Sequence, residues 1–137
     1  MAKTFMQMIA EARAEVPMIS VADAQQQMQD DPNTLMVDVR DAADIAGTGI
    51  IPGAIHVSLG TMTFKADQEV PEEYRDPRLQ ERDQPVIVTC AVGAMASLGG
   101  KLLKDMGFNN VTILDGGTVG WKKAGLATEP FPAPRLN

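Results

Sequence analysis

Four short apolar runs rich in β-branched residues punctuate the chain: Leu35-Met-Val-Asp-Val39, Ala54 to Val57, Val86-Ile-Val-Thr89 and Val111 to Leu114. Runs of this length with little alternation read as strands buried on both faces. Between them the apolar positions switch to helical spacing. Phe5, Met8 or Ile9, Ala12 and Val16 recur along residues 1–16 and predict an amphipathic helix that Pro17 ends. Ser20 is placed to cap a second helix from Val21 to about Met28, and Asp30-Asp-Pro-Asn33 is a turn. Ala42 to Ala46 predicts a short helical turn that Gly47-Thr-Gly49 breaks, and Pro52-Gly53 turns the chain into the strand at Ala54. Residues 59–82 are the least regular stretch, with a short helix expected near Met62 to Lys65. Ala94 to Met106 predicts a helix closed by Gly107, and Thr118 to Ala124 a shorter one ended by Gly125.

Strands that alternate with helices predict an α/β fold, with a central, mostly parallel sheet flanked by helices on both faces. The organisation expected is a flanking helix over 1–17, one domain over 18–128 and a Pro-rich tail over 129–137. The first helix is expected to cover the core, and the tail, with Pro130, Pro132 and Pro134, to run extended.

Composition narrows the function classes. The net charge of −6 argues against nucleic acid as the main partner, since phosphate binding needs a basic face. One cysteine permits no intrachain disulfide or multi-cysteine zinc site, and one histidine leaves no metal constellation. No apolar run approaches the roughly 20 residues of a membrane span. Lys3, Glu11, Arg13 and Glu15 interrupt any signal-peptide core, so a cytoplasmic location is expected.

The candidate chemistry sits at the end of the Val86–Thr89 run. Cys90 closes that strand, a short loop with Gly93 follows, and the helix begins near Ala94. A strand that turns sharply into a helix holds its last side chain over free backbone N–H groups and the positive end of the helix dipole. That setting favours an anion, and so the thiolate form of a cysteine. A lone cysteine is more often a small buried hydrophobe. The C-terminal end of a central strand, however, is where α/β sheets place their ligands, and this position favours a nucleophile.

Three blocks in order carry a family resemblance. Val37-Asp-Val-Arg40, Asp44 and Thr48-Gly-Ile-Ile-Pro-Gly-Ala-Ile55 form the first; Cys90-Ala-Val-Gly93-Ala-Met95 the second; Gly107-Phe108, Val111, Leu114-Asp-Gly-Gly117 and Trp121 the third. Together, over about Ile19 to Ala127, they resemble a single-domain rhodanese (sulfurtransferase) module. The resemblance implies that Cys90 takes the outer sulfur of a donor such as thiosulfate, becomes a persulfide, and passes that sulfur to a thiol, free or on a protein, or to cyanide. It implies that the backbone N–H groups of Ala91, Val92, Gly93, Ala94, Met95 and Ala96 cradle the anion, and that no metal or organic cofactor takes part. Elsewhere, Arg40 is expected to pair with Asp44, Asp115 to accept N–H bonds in its Gly-Gly turn, Trp121 to anchor the core, and His56 to be structural.

One position departs from the pattern. The family usually has arginine where this chain has Met95, and no Lys or Arg occurs in the loop. Arginine would grip a sulfonate in bidentate fashion. Its loss weakens a dianionic donor and opens the alternative of a non-catalytic rhodanese-like module that binds or senses a partner. Ala96 stands where cysteine phosphatases carry their arginine, which argues against phosphate-ester hydrolysis.

Overall fold

In the computed structural model, which describes residues 1–131, the strands are β1 (Met18–Ile19), β2 (Leu35–Asp38), β3 (Ile55–His56), β4 (Val86–Thr89) and β5 (Val111–Leu114). They form one sheet in the order β1-β5-β4-β2-β3, with every neighbouring pair parallel. The helices are α1 (Phe5–Glu15), α2 (Val21–Asp30), α3 (Ala42–Ile45), α4 (Leu59–Lys65), α5 (Ala94–Asp105) and α6 (Gly117–Lys123), with a 3-10 turn at Glu72–Tyr74. No helix among the described residues is long and apolar enough to cross a membrane.

Alternation along the strands divides the core into two. Leu35, Val37 and Val39, with Val86, Val88 and Cys90, face the side on which Met62 of α4 and Leu103 of α5 pack. Met36, Ile87 and Leu114 face the other side, where Ala24 of α2 and Trp121 of α6 close a second cluster. Helices therefore cover both faces, as the apolar runs predicted. Trp121 is the anchor expected of it, and its indole Nε1–H donates to the carbonyl of Ala127 at 2.9 Å.

Local signals account for the element ends. Thr4 and Gln7 form a reciprocal capping box at α1, and the Ser20 hydroxyl accepts from Asp23 N at 3.1 Å to start α2. The structure differs from expectation at two elements. β1 is a strand that two residues cannot announce; it exists because Met18 and Ile19 pair with Ile113 and Leu114. The helix expected near Met62 begins at Leu59, one residue after Ser58, and buries Met62. At the start of the tail, Glu129 bridges Ile50 antiparallel and the Thr128 hydroxyl donates to the Thr48 carbonyl. Pro132 and Pro134 of the expected tail lie outside the described residues.

Helix α5 approaches the sheet closely because it presents Gly99 and Gly100 to it. A Cβ at Gly99 would lie 3.1 Å from Val39 Cγ1 and 3.3 Å from Val88 Cγ1, and one at Gly100 3.2 Å from Ile113 Cγ1. Gly99→Leu should therefore overpack this contact and destabilise the fold by about 1–3 kcal/mol, read as a lower urea midpoint with an unchanged m-value.

Candidate active site

β2 and β4 are neighbours, and from them the chain winds outward in opposite directions, from β2 to β3 on one side and from β4 to β5 on the other. The crevice between the C-terminal ends of these two strands is the switch point of the sheet, where α/β folds bind ligands. A cavity of about 580 Å³ lies there. Cys90 ends β4 and lines it, although only 2% of the residue is exposed. Val39 and Arg40, just after β2, form the opposite wall.

The Cys90 loop is held from behind by the start of α6. Thr118 N donates to the Cys90 carbonyl at 2.9 Å and Val119 N to the Ala91 carbonyl at 3.0 Å. The approach is tight: a Cβ on Gly117, whose φ is +61°, would stand 2.6 Å from the Ala91 oxygen. Only glycine meets both the conformation and the distance. This is the role of the Asp115-Gly-Gly117 turn. The Asp115 carboxylate, expected to accept N–H bonds there, accepts none among the described residues; it is exposed to water, and the glycines alone shape the turn.

Gly93 then turns left-handed (φ +103°) and serves as the cap residue of α5. Its N–H donates to Cys90 Sγ at 3.1 Å, and Ala96 N donates to the same sulfur at 3.2 Å. The N–H groups of Ala91, Val92, Ala94 and Met95 have no acceptor among the described residues. Of the six residues expected to form the cradle, Gly93 and Ala96 reach the sulfur directly. Ala91, Val92, Ala94 and Met95 line the cavity beside it. Val92 is 61% and Met95 40% exposed. The Met95 side chain therefore borders the cavity instead of packing into the core.

Sequence reasoning missed a cation beside this loop. Arg13 of α1 donates from Nε to Ser97 Oγ at 3.0 Å, and the Ser97 hydroxyl donates to the Gly93 carbonyl at 2.8 Å. A Cβ on Gly93 would lie 3.6 Å from the Arg13 guanidinium. Arg13 comes from the side of Leu114 and Gly116 and does not line the cavity. Nothing in the spacing of residues 13 and 97 announces this contact, which depends on how α1 lies along α5.

The opposite wall carries a correction. Arg40 does not pair with the Asp44 carboxylate; it forms a bidentate ion pair with buried Asp38, at 3.1 and 2.7 Å. Its remaining N–H groups reach the Asp44 carbonyl, Thr48 Oγ1 and the Gly49 carbonyl. The i,i+4 expectation fails because Arg40 lies outside a helix, where that spacing sets no contact; Asp38, two residues back on the strand, lies beneath it. All five guanidinium N–H donors are thereby engaged within the protein. Asp41 and Asp44 remain on the cavity wall, exposed and without an ion pair among the described residues. His56 is structural: its Nε2 bonds the Arg40 carbonyl at 2.6 Å, and its ring meets Phe131 edge-on.

The chain is similar to known proteins over most of its length. The family model of the rhodanese-like domain matches residues 20–124. A sulfurtransferase of Allochromatium vinosum is 29% identical over 109 residues, covering 80% of this chain and 88% of that protein. A solved structure from Rhodopseudomonas palustris, described as a possible tyrosine phosphatase, superposes with a TM-score of 0.86 at 30% identity, covering 94% of this chain and 96% of that one. The polysulfide-sulfur transferase homodimer of Wolinella succinogenes superposes with a TM-score of 0.68 at 28% identity, covering 86% and 81%.

Gly117→Ala tests the support behind the loop. The added methyl meets the Ala91 and Cys90 oxygens and must displace them. We expect a loss of at least about 1 kcal/mol of stability from the left-handed backbone alone, together with slower alkylation of Cys90 by iodoacetamide. Alkylation at the parent rate would mean that α6 does not position the loop.

Proposed function

The chain belongs to the rhodanese-like domain family, and we propose that it is a sulfurtransferase that carries sulfane sulfur as a persulfide on Cys90. The observation that carries this reading is the pair of N–H bonds from Gly93 and Ala96 to Cys90 Sγ, at the mouth of a helix and the floor of a cavity. The thiolate is the form that attacks sulfur. The thiolate takes the outer sulfur of the donor: an S–S bond forms at Sγ, the donor's own S–S bond breaks, and its electron pair leaves with the remaining thiolate or sulfite. The persulfide that results is an anion one atom further into the cavity. There the N–H groups of Ala91, Val92, Ala94 and Met95 supply the donors that the protein leaves unused. An acceptor thiolate then attacks that outer sulfur and restores Cys90. A reducing compartment such as the cytoplasm would keep Cys90 available as a thiol.

Two other readings fit less well. Phosphate-ester hydrolysis, suggested by the description of the Rhodopseudomonas palustris structure, would need a cation in the loop to hold the phosphoryl group. Ala96 and Met95 supply none, and Arg40 is fully engaged with Asp38 and its neighbours. A module that only binds a partner would have no use for two amides aimed at a thiol.

Intact mass after incubation with sulfur donors decides the central claim. The wild type should gain one sulfur atom at Cys90, and Cys90→Ser none. An adduct that persists in the serine variant would place the chemistry elsewhere.

Met95 generates a second expectation. It borders the cavity in the first turn of α5, so Met95→Arg should bring a full charge and a planar donor fork to an anionic donor. The kcat/KM for thiosulfate should rise about tenfold, or roughly 1.4 kcal/mol of transition-state stabilisation, and the gain should shrink as salt rises. Met95→Gln, which is neutral, should show little change.

A further inference from the structure

We propose that the donor this cavity takes is a small alkyl persulfide bearing a positive charge, and that the site discriminates against sulfur anions such as thiosulfate. The proposal rests on the reading of Cys90 as a sulfur carrier and specifies its substrate class.

Charge is the first argument. Arg40, the one cation in the wall among the described residues, is neutralised by Asp38 and has all of its N–H groups engaged. Asp41 and Asp44 add two carboxylates to the same wall with no ion pair of their own among the described residues. Asp41 also makes no side-chain cap bond to α3. Arg13 lies behind Gly93 and outside the cavity. A dianion in this cavity faces two carboxylates as well as the loop dipoles, whereas an ammonium group is attracted by those carboxylates.

Shape is the second argument. Val39, Leu59, Val92 and Met95 give the cavity an apolar side that suits a methylene chain. Its volume of about 580 Å³ is far larger than a single small anion fills. Cys90 is only 2% exposed, so the carrier must be slender enough to bring its terminal sulfur to the floor. The step balances without a co-reactant. The Cys90 thiolate attacks the terminal sulfur of R–S–S–H, the Cys90–sulfur bond forms, and the R–S to S–H bond breaks. R–S⁻ leaves with the electron pair, and the proton stays on the transferred sulfur or passes to water.

Single-turnover transfer to Cys90, followed by intact mass, tests this with three probes: cysteamine persulfide, which carries an ammonium; glutathione persulfide, which carries net negative charge; and thiosulfate. The rate constant per unit concentration for cysteamine persulfide should exceed that for glutathione persulfide by about tenfold at low salt. In the exposed double variant Asp41→Asn/Asp44→Asn that ratio should fall severalfold. A ratio near one in the wild type, a ratio untouched by the double substitution, or thiosulfate as the fastest probe would overturn the proposal while leaving Cys90 a sulfur carrier. Failure of all three probes to add sulfur would instead overturn the carrier reading on which it rests.

Discussion

The site depends on two hydrogen bonds made behind it, from Thr118 N and Val119 N of α6 to the carbonyls of Cys90 and Ala91. In a trans peptide the C=O and the following N–H point in opposite directions. Fixing those two carbonyls toward α6 therefore turns the N–H groups of Ala91 and Val92 away from it, toward the crevice. Gly93 reverses the chain with its left-handed backbone, and the first turn of α5 brings the Ala96 N–H round to the same sulfur. The backbone of the loop from Ala91 to Ala96 is thus shaped by contacts that none of its side chains makes. The whole arrangement needs Gly117 to let two backbones approach to a distance no Cβ allows.

The second constraint is the buried pair between Asp38 and Arg40. Neither side chain is more than 5% exposed, so each depends on the other, and removing one would leave an uncompensated charge costing about 3–5 kcal/mol. Arg40 in turn ties the end of β2 to Thr48 and Gly49, while His56 holds the Arg40 carbonyl. The end of β2, the loop after α3 and the end of β3 become one rigid wall. The same bonds determine the electrostatics of the cavity. An arginine that braces a wall through every N–H has none left for a ligand, and Asp41 and Asp44 line the same cavity without an ion pair among the described residues.

Much of this was legible in the sequence, for identifiable reasons. The four apolar runs needed only their β-branched content to be read as strands, and Ser20 and Gly93 are end signals whose mechanism is local. Cys90 and its loop were legible because the chemistry and the turn occupy adjacent residues. Most of the illegible parts depend on pairing across the fold or on where a residue sits relative to its element. β1 is two residues whose strand character comes wholly from β5. The partner of Arg40 could not be read from an i,i+4 rule, because the rule belongs to helices and Arg40 follows a strand. Trp121 as an anchor followed from its size, but the role of Gly117 required knowing that Ala91 lies against it.

Arg13 shows how such a long-range contact acts. The family match begins at residue 20, so α1 lies outside it, yet α1 takes part in the geometry of the loop. Arginine can only donate, so its Nε–H occupies a lone pair of Ser97 Oγ and leaves the hydroxyl proton free to bond elsewhere. That proton goes to the Gly93 carbonyl, which also accepts Ser97 N at 3.1 Å. The carbonyl of the left-handed residue is therefore fixed by two donors from the next turn of the helix. Because the Gly93 carbonyl is fixed, so is the plane of the peptide that follows it, and with it the N–H of Ala94. The guanidinium charge itself lies beside a helix N-terminus, where a cation is mildly unfavourable. Its hydrogen bond to Ser97 gives that hydroxyl its direction.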